Sequence, residues 1–177
     1  DNNKILYEKN SKDEVPMASL TKIMTTIVSI ENIKDLNEKV TITSDMLKNI
    51  PWDATVAGLK VGDKVTYEDL LYSSMIPSGA DATQALAISL TGSIDNFVKL
   101  MNKKAKELKM NNTNYVNTTG LDIDNHYSTA KDILTLLNYS LNNETFKKIY
   151  ETKNYTTTNN IKLESTLSHY NEYLNYD

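Results

Sequence analysis

The chain has 177 residues, 40% of them hydrophobic and 24% charged, enough for one globular domain, 1–177, with a real core. Its net charge is −4 and its cationic residues, all of them lysine, form no basic stripe, which argues against nucleic acid as a partner. Cysteine is absent, so disulfides, thiol catalysis and thiolate metal sites are excluded together. The two histidines, His126 and His169, lie far apart and form no metal-ligand pattern, so neither a metal nor a cofactor is expected.

In chain order, residues 4–9 alternate apolar and polar as a strand does. A polar turn and Pro16 lead to a helix expected over 19–33, whose broad apolar face holds Ile23, Met24, Ile27 and Val28 as core. Its run 23–30 is too short, and too interrupted by Thr25, Thr26 and Ser29, to span a membrane. A short strand is expected at 39–43. Residues 50–64 read as loop, with Trp52, the only tryptophan, expected to anchor it.

Helices follow over 66–75, opened by Thr66 and Asp69, then over 81–90 after the turn Pro77-Ser78-Gly79, and over 94–108 after Gly92. A polar loop at 111–124 precedes helices at 129–141 and 144–150. His126 falls in a polar stretch and reads as a surface residue. Beyond Glu151 the chain is rich in Thr and Asn, with strand-like pieces. A helical middle between strand-like ends gives an α+β fold whose sheet is built from the chain ends. The sequence opens without an initiator Met or a signal-peptide apolar core, and reads as a processed product.

Two S-x-x-K matches carry the chemistry to be weighed. The spacing sets a hydroxyl and an amine one helical turn apart, as a serine nucleophile needs if lysine is to take its proton. A chain of this length contains such a match roughly once by chance. At Ser128-Thr129-Ala130-Lys131 the residues are explained structurally, because Thr129 and Asp132 form a helix-capping pattern ahead of an apolar period. At Ser19-Leu20-Thr21-Lys22 the pattern contradicts good helix practice. If Ser19 caps the helix, Lys22 stands where an acid belongs, near the positive end of the dipole. Such a position costs an exposed ammonium about 0.5 kcal/mol and pushes the amine toward its neutral, basic form. Local rule-breaking of this kind marks functional sites.

Several segments together resemble the low-molecular-mass penicillin-binding proteins, the serine-type D-alanyl-D-alanine carboxypeptidases. They are Ile5-Leu6-Tyr7-Glu8-Lys9-Asn10, Ala18-Ser19-Leu20-Thr21-Lys22-Ile23-Met24-Thr25, Gly58-Leu59-Lys60-Val61-Gly62-Asp63, Leu70-Leu71-Tyr72, Ile76-Pro77-Ser78-Gly79-Ala80-Asp81-Ala82, Gly120-Leu121-Asp122 and His126-Tyr127-Ser128-Thr129-Ala130-Lys131-Asp132. They occur in family order over nearly the whole chain.

The resemblance implies a transpeptidase-like fold and acyl transfer on peptidoglycan stem peptides ending in D-Ala-D-Ala. By position, Ser19 is the nucleophile, Lys22 its general base and Ser78 the proton relay, with β-lactam antibiotics acylating Ser19. It also implies an extracytoplasmic, wall-facing protein whose membrane contact runs only through an anchor absent from this chain. A serine β-lactamase and a non-catalytic peptidoglycan-binding relative are the alternatives. The sequence departs from the family pattern twice. Ala80 stands where the second motif usually carries Asn, and no Lys-Thr-Gly occurs anywhere. On that account the domain is expected to be incomplete at its C-terminus, and weak or inactive as it stands.

Overall fold

The computed structural model describes residues 5–165; Lys4 and His169 lie outside them. Its centre is helix α1 (Thr21–Asn32), whose first nine residues are buried whatever their polarity. Helices α2 (Tyr67–Met75), α3 (Ala80–Thr91), α4 (Ile94–Glu107), α5 (Ala130–Leu141) and α6 (Glu144–Glu151) all pack on it. The apolar face predicted for α1 is therefore only part of what it buries. Its hydroxyls are buried too, and most are satisfied: Thr25 donates to the Thr118 carbonyl at 2.9 Å, and Thr26 pairs with Ser74 at 3.1 Å.

Two apolar clusters flank this helix. One joins α2 and α3 to the strands, through Leu70, Leu71, Leu86, Val65 and Leu163. The other joins α1 to α4, α5 and α6, through Met24, Ile27, Phe97, Met101, Leu136 and Phe146. The helix boundaries read from the sequence hold to within a few residues because their stop and start signals are strong. Thr66 and Asp69 form a reciprocal capping box, and Gly92 ends α3 at a left-handed φ of 80°.

Strands are few and short. β1 (Lys39–Thr41) pairs antiparallel with β2 (Lys64–Thr66), with Val40 opposite Val65. β3 (Asn154–Thr156) pairs with β4 (Lys162–Glu164) as a hairpin. That hairpin docks on α2. Tyr155 stacks on Tyr72 with ring centroids 3.9 Å apart, and its hydroxyl donates to Asp69, which also accepts from the Thr158 N–H.

Among the described residues no sheet joins the two ends of the chain. Residues 5–9 form no strand, and Ile5, Leu6 and Tyr7 are exposed, with no strand beside them among the described residues. Alternation alone does not make a strand whose backbone groups find no ladder. Among the described residues no helix is long and apolar enough to cross a membrane.

Candidate active site

Ser19 sits in a single 3-10 turn, Ala18–Leu20, that leads into α1. Ser19 does not cap the helix. Leu20 occupies the cap, and no side chain satisfies it. The Ser19 hydroxyl is therefore free for other partners. Its Oγ lies 3.2 Å from Lys22 Nζ and 2.9 Å from Ser78 Oγ. Its backbone N–H donates to no other group among the described residues. Ser19 is exposed while Lys22 is only 5% exposed, so an accessible hydroxyl meets a dry amine.

Burial lowers the Lys22 pKa to about 8. The cause is desolvation; the dipole argument from the sequence had the right direction and a lesser reason. The amine is aimed by a second contact, donating to the Thr119 carbonyl at 2.7 Å. The backbone pays locally for this geometry: Ala18 and Ser78 both adopt positive φ, 45° and 59°, which L-residues rarely do.

The loop that carries Thr119 is built by one side chain. Asn117 Oδ1 accepts from the Thr119 and Gly120 N–H groups, and its amide donates to the Leu121 carbonyl. Gly120, at φ 89°, lies so close to the Ala18 carbonyl that no Cβ fits between them. Opposite stands the segment 51–59, clipped to the start of α3. The Ala80 N–H donates to the Thr55 carbonyl, and Asp81 accepts from the N–H groups of Ala57, Gly58 and Leu59 at 2.8, 2.9 and 3.0 Å.

Between these walls is a cleft of about 180 Å³ that takes in Ser19, Lys22, Asp53, Ala80, Thr119 and Gly120. Three of the four residues singled out by sequence thus meet around one oxygen, and Ala80 lines the same cleft. Asp81 is committed to four backbone amides, those of Ala57, Gly58, Leu59 and Ala82, so it does not stand in for an Asn at position 80. The second S-x-x-K assembles nothing. Ser128 is buried against Thr113 at 2.7 Å, Thr129 caps α5, and Lys131 is exposed.

Two readings of the sequence are overturned here. Trp52 does not anchor its loop: it is 97% exposed at the tip of the turn closed by Ala54 N–H on the Pro51 carbonyl. Its neighbour Asp53 lines the cleft. His126 is not a surface residue but is 3% exposed, wedged between α1 and the Thr119 loop, where burial holds its imidazole below the ordinary range against the opposing pull of Asp122. Neither was accessible to local pattern, since polar flanks do not reveal what a loop folds over. The Thr119 carbonyl was missed for a plainer reason: a backbone acceptor leaves no residue-type signal.

A central buried helix, helices packed around it and small antiparallel sheets define the penicillin-binding-protein and DD-transpeptidase fold. The described fold superposes on the crystal structure of the Streptomyces K15 DD-transpeptidase with a TM-score of 0.85 and 31% identity, covering 96% of this chain and 71% of that one. The family model described as D-alanyl-D-alanine carboxypeptidase, Peptidase S11, matches residues 1–177. The chain belongs to that family.

Among its relatives, the D-alanyl-D-alanine carboxypeptidase DacF of Bacillus subtilis is 38% identical over 152 residues, covering 84% of this chain and 38% of that protein. A D-alanyl-D-alanine endopeptidase of Pseudomonas aeruginosa is 37% identical over 138 residues, covering 76% of this chain and 42% of the relative. The chain thus spans about two fifths of the length of these curated relatives.

Proposed function

We propose that this protein is a serine D,D-carboxypeptidase, its residues 1–177 belonging to a single transpeptidase-like domain, which removes the terminal D-Ala from peptidoglycan stem peptides through an acyl-enzyme. The observation that carries the reading is the buried Lys22 amine 3.2 Å from the exposed Ser19 hydroxyl, with Ser78 Oγ 2.9 Å from the same oxygen. A pKa of about 8 leaves a usable fraction of free amine near neutral pH, and a base is most effective when its pKa lies near the working pH.

In the proposed reaction the Ser19 oxygen attacks the carbonyl carbon of the penultimate D-Ala while Lys22 takes the hydroxyl proton. The tetrahedral oxyanion is met by the Ser19 N–H. Collapse breaks the peptide bond, and the leaving D-Ala nitrogen receives its proton through Ser78. Water then attacks the ester, giving its proton to Lys22, and releases the shortened peptide. Dividing one amide cleavage into two acyl transfers lowers each barrier.

β-Lactams enter by the same step, the ring opening onto Ser19. A β-lactamase reading is disfavoured because, among the described residues, no glutamate lines the cleft and the carboxylate there is Asp53. The protein acts outside the cytoplasmic membrane, facing the wall. Incubation with a labelled penicillin should yield a stable adduct that peptide mass spectrometry places on Ser19. An adduct on Ser128, or none, would overturn the reading.

Ala80 gives a second expected result. Its methyl can neither donate to nor accept from a substrate amide. Ala80→Asn restores such a group at the cleft wall and should raise kcat/KM toward a D-Ala-D-Ala peptide by up to about 1–2 kcal/mol, one hydrogen bond's worth. Unchanged or reduced turnover, with the circular dichroism spectrum of the parent, would show that this cleft is already complete with alanine.

A further inference from the structure

His126 is a buried imidazole that the proposed reaction does not use. Its two nitrogens have different partners. Nδ1 lies 3.0 Å from the Val116 N–H, which can only donate, so Nδ1 must accept. The ring proton is therefore on Nε2, which donates to Thr21 Oγ1 at 2.8 Å. Val116 and His126 are where the loop carrying Thr119 and Gly120 departs and returns. Thr21 is the first residue of α1, next to Lys22. One ring thus closes the loop on itself and fastens it to the helix that bears the amine.

The fastening is one of three made by the same end of α1. Thr25 holds the Thr118 carbonyl at 2.9 Å, and Lys22 holds the Thr119 carbonyl at 2.7 Å. Lys22 cannot be relied on to hold the loop, since its nitrogen, 3.2 Å from Ser19 Oγ, has to serve the reaction. The loop has to be kept in register by the other two. Of these, only His126 also ties the loop's own ends together.

Building on the serine acyl-transfer reading above, we propose that His126 is a positioning residue. Held as the Nε2–H tautomer by the Val116 N–H and bonded to Thr21, it fixes the 116–126 loop so that the Thr119 carbonyl aims the Lys22 amine at Ser19. It touches neither substrate nor the reacting atoms. Its effect travels through the loop alone.

The chemistry of the two bonds supplies the test. A glutamine can reproduce both, its carbonyl accepting from Val116 and its amide donating to Thr21, whereas leucine reproduces only the bulk of the ring. Thr21→Val removes the same helix bond from the other side with little change in volume. The rate of penicillin acylation at Ser19 should fall about tenfold or more in His126→Leu and in Thr21→Val, because small misplacements of a catalytic group are expensive. His126→Gln should stay within about threefold of the parent. The His126→Leu/Thr21→Val double variant should be no slower than the slower single one, since the bond to the helix is already lost in each.

His126→Leu and Thr21→Val acylating at the parental rate would reduce His126 to core filling and overturn the proposal. A folded His126→Gln as slow as His126→Leu would do the same. If His126→Leu does not fold, Thr21→Val and His126→Gln decide between them. Failure of the parent protein itself to acylate at Ser19 is a separate outcome that sinks the catalytic reading rather than the role of His126.

Discussion

Lys22→Met is expected to stabilise this protein while abolishing its reaction with penicillin. The two effects share one cause, the burial of an amine that is ordinarily charged. With the folded pKa at about 8 against an ordinary 10.5, folding at neutral pH carries the cost of desolvating an ammonium, on the order of 3 kcal/mol. Methionine fills similar space without a charge, but it orphans the Thr119 carbonyl, which returns ~1–3 kcal/mol of that gain. A net stabilisation of up to about 2 kcal/mol at pH 7 should appear in denaturant unfolding.

The sign with pH is fixed. Between about 8 and 10.5 the unfolded chain holds a proton that the folded protein has released, so parental stability rises with pH across that window. The advantage of Lys22→Met should shrink over the same range. Acylation of the parent should climb as pH passes about 8 and the free amine accumulates. In the variant it should be slower by ~10²-fold or more, the usual scale for losing a general base, and lack that limb. A variant less stable than the parent at pH 7 would mean that Lys22 is not held against its solvation preference. Equal acylation rates would remove it from the reaction.

How far the site could be read in advance follows from where its information is stored. Ser19 and Lys22 are linked by local spacing, and Lys22 offended the helix rules in its own sequence neighbourhood. The helices were legible for the same reason: Thr66 with Asp69, Thr129 and Gly92 are local signals with local consequences. Trp52 and His126 were misread because their environments depend on residues distant in sequence: His126 is buried against Thr21, and no described residue packs over Trp52. Residues 5–9 show the converse failure. Their period-two pattern is a preference, and a strand needs a partner to satisfy it. Only the family motifs brought Ser78 to Ser19, since no local rule connects positions 59 residues apart.

Gly120→Ala should be among the most damaging single-methyl changes available. The added Cβ would stand 1.9 Å from the Ala18 carbonyl oxygen and 3.0 Å from the Ser19 nitrogen, at a φ of 89° that alanine avoids. Neither side can yield easily. Ala18 is already at φ 45°, and Asn117 binds the loop through the Thr119 and Gly120 N–H groups. Relief comes only by lifting the loop, which withdraws the Thr119 carbonyl from Lys22. Backbone conformation and overpacking together should cost about 2–5 kcal/mol. Penicillin acylation should fall by ~10²-fold, the scale of a one-ångström misplacement. Gly62→Ala is the matched control: its φ is 92°, yet nothing lies within 4 Å of its Cβ. That variant should lose only about 1–2 kcal/mol from the left-handed backbone and acylate at the parental rate. Parental acylation in a folded Gly120→Ala would show that the close approach at Ala18 does not set the geometry of Ser19. Equal losses in both glycine variants would assign the effect to backbone conformation alone.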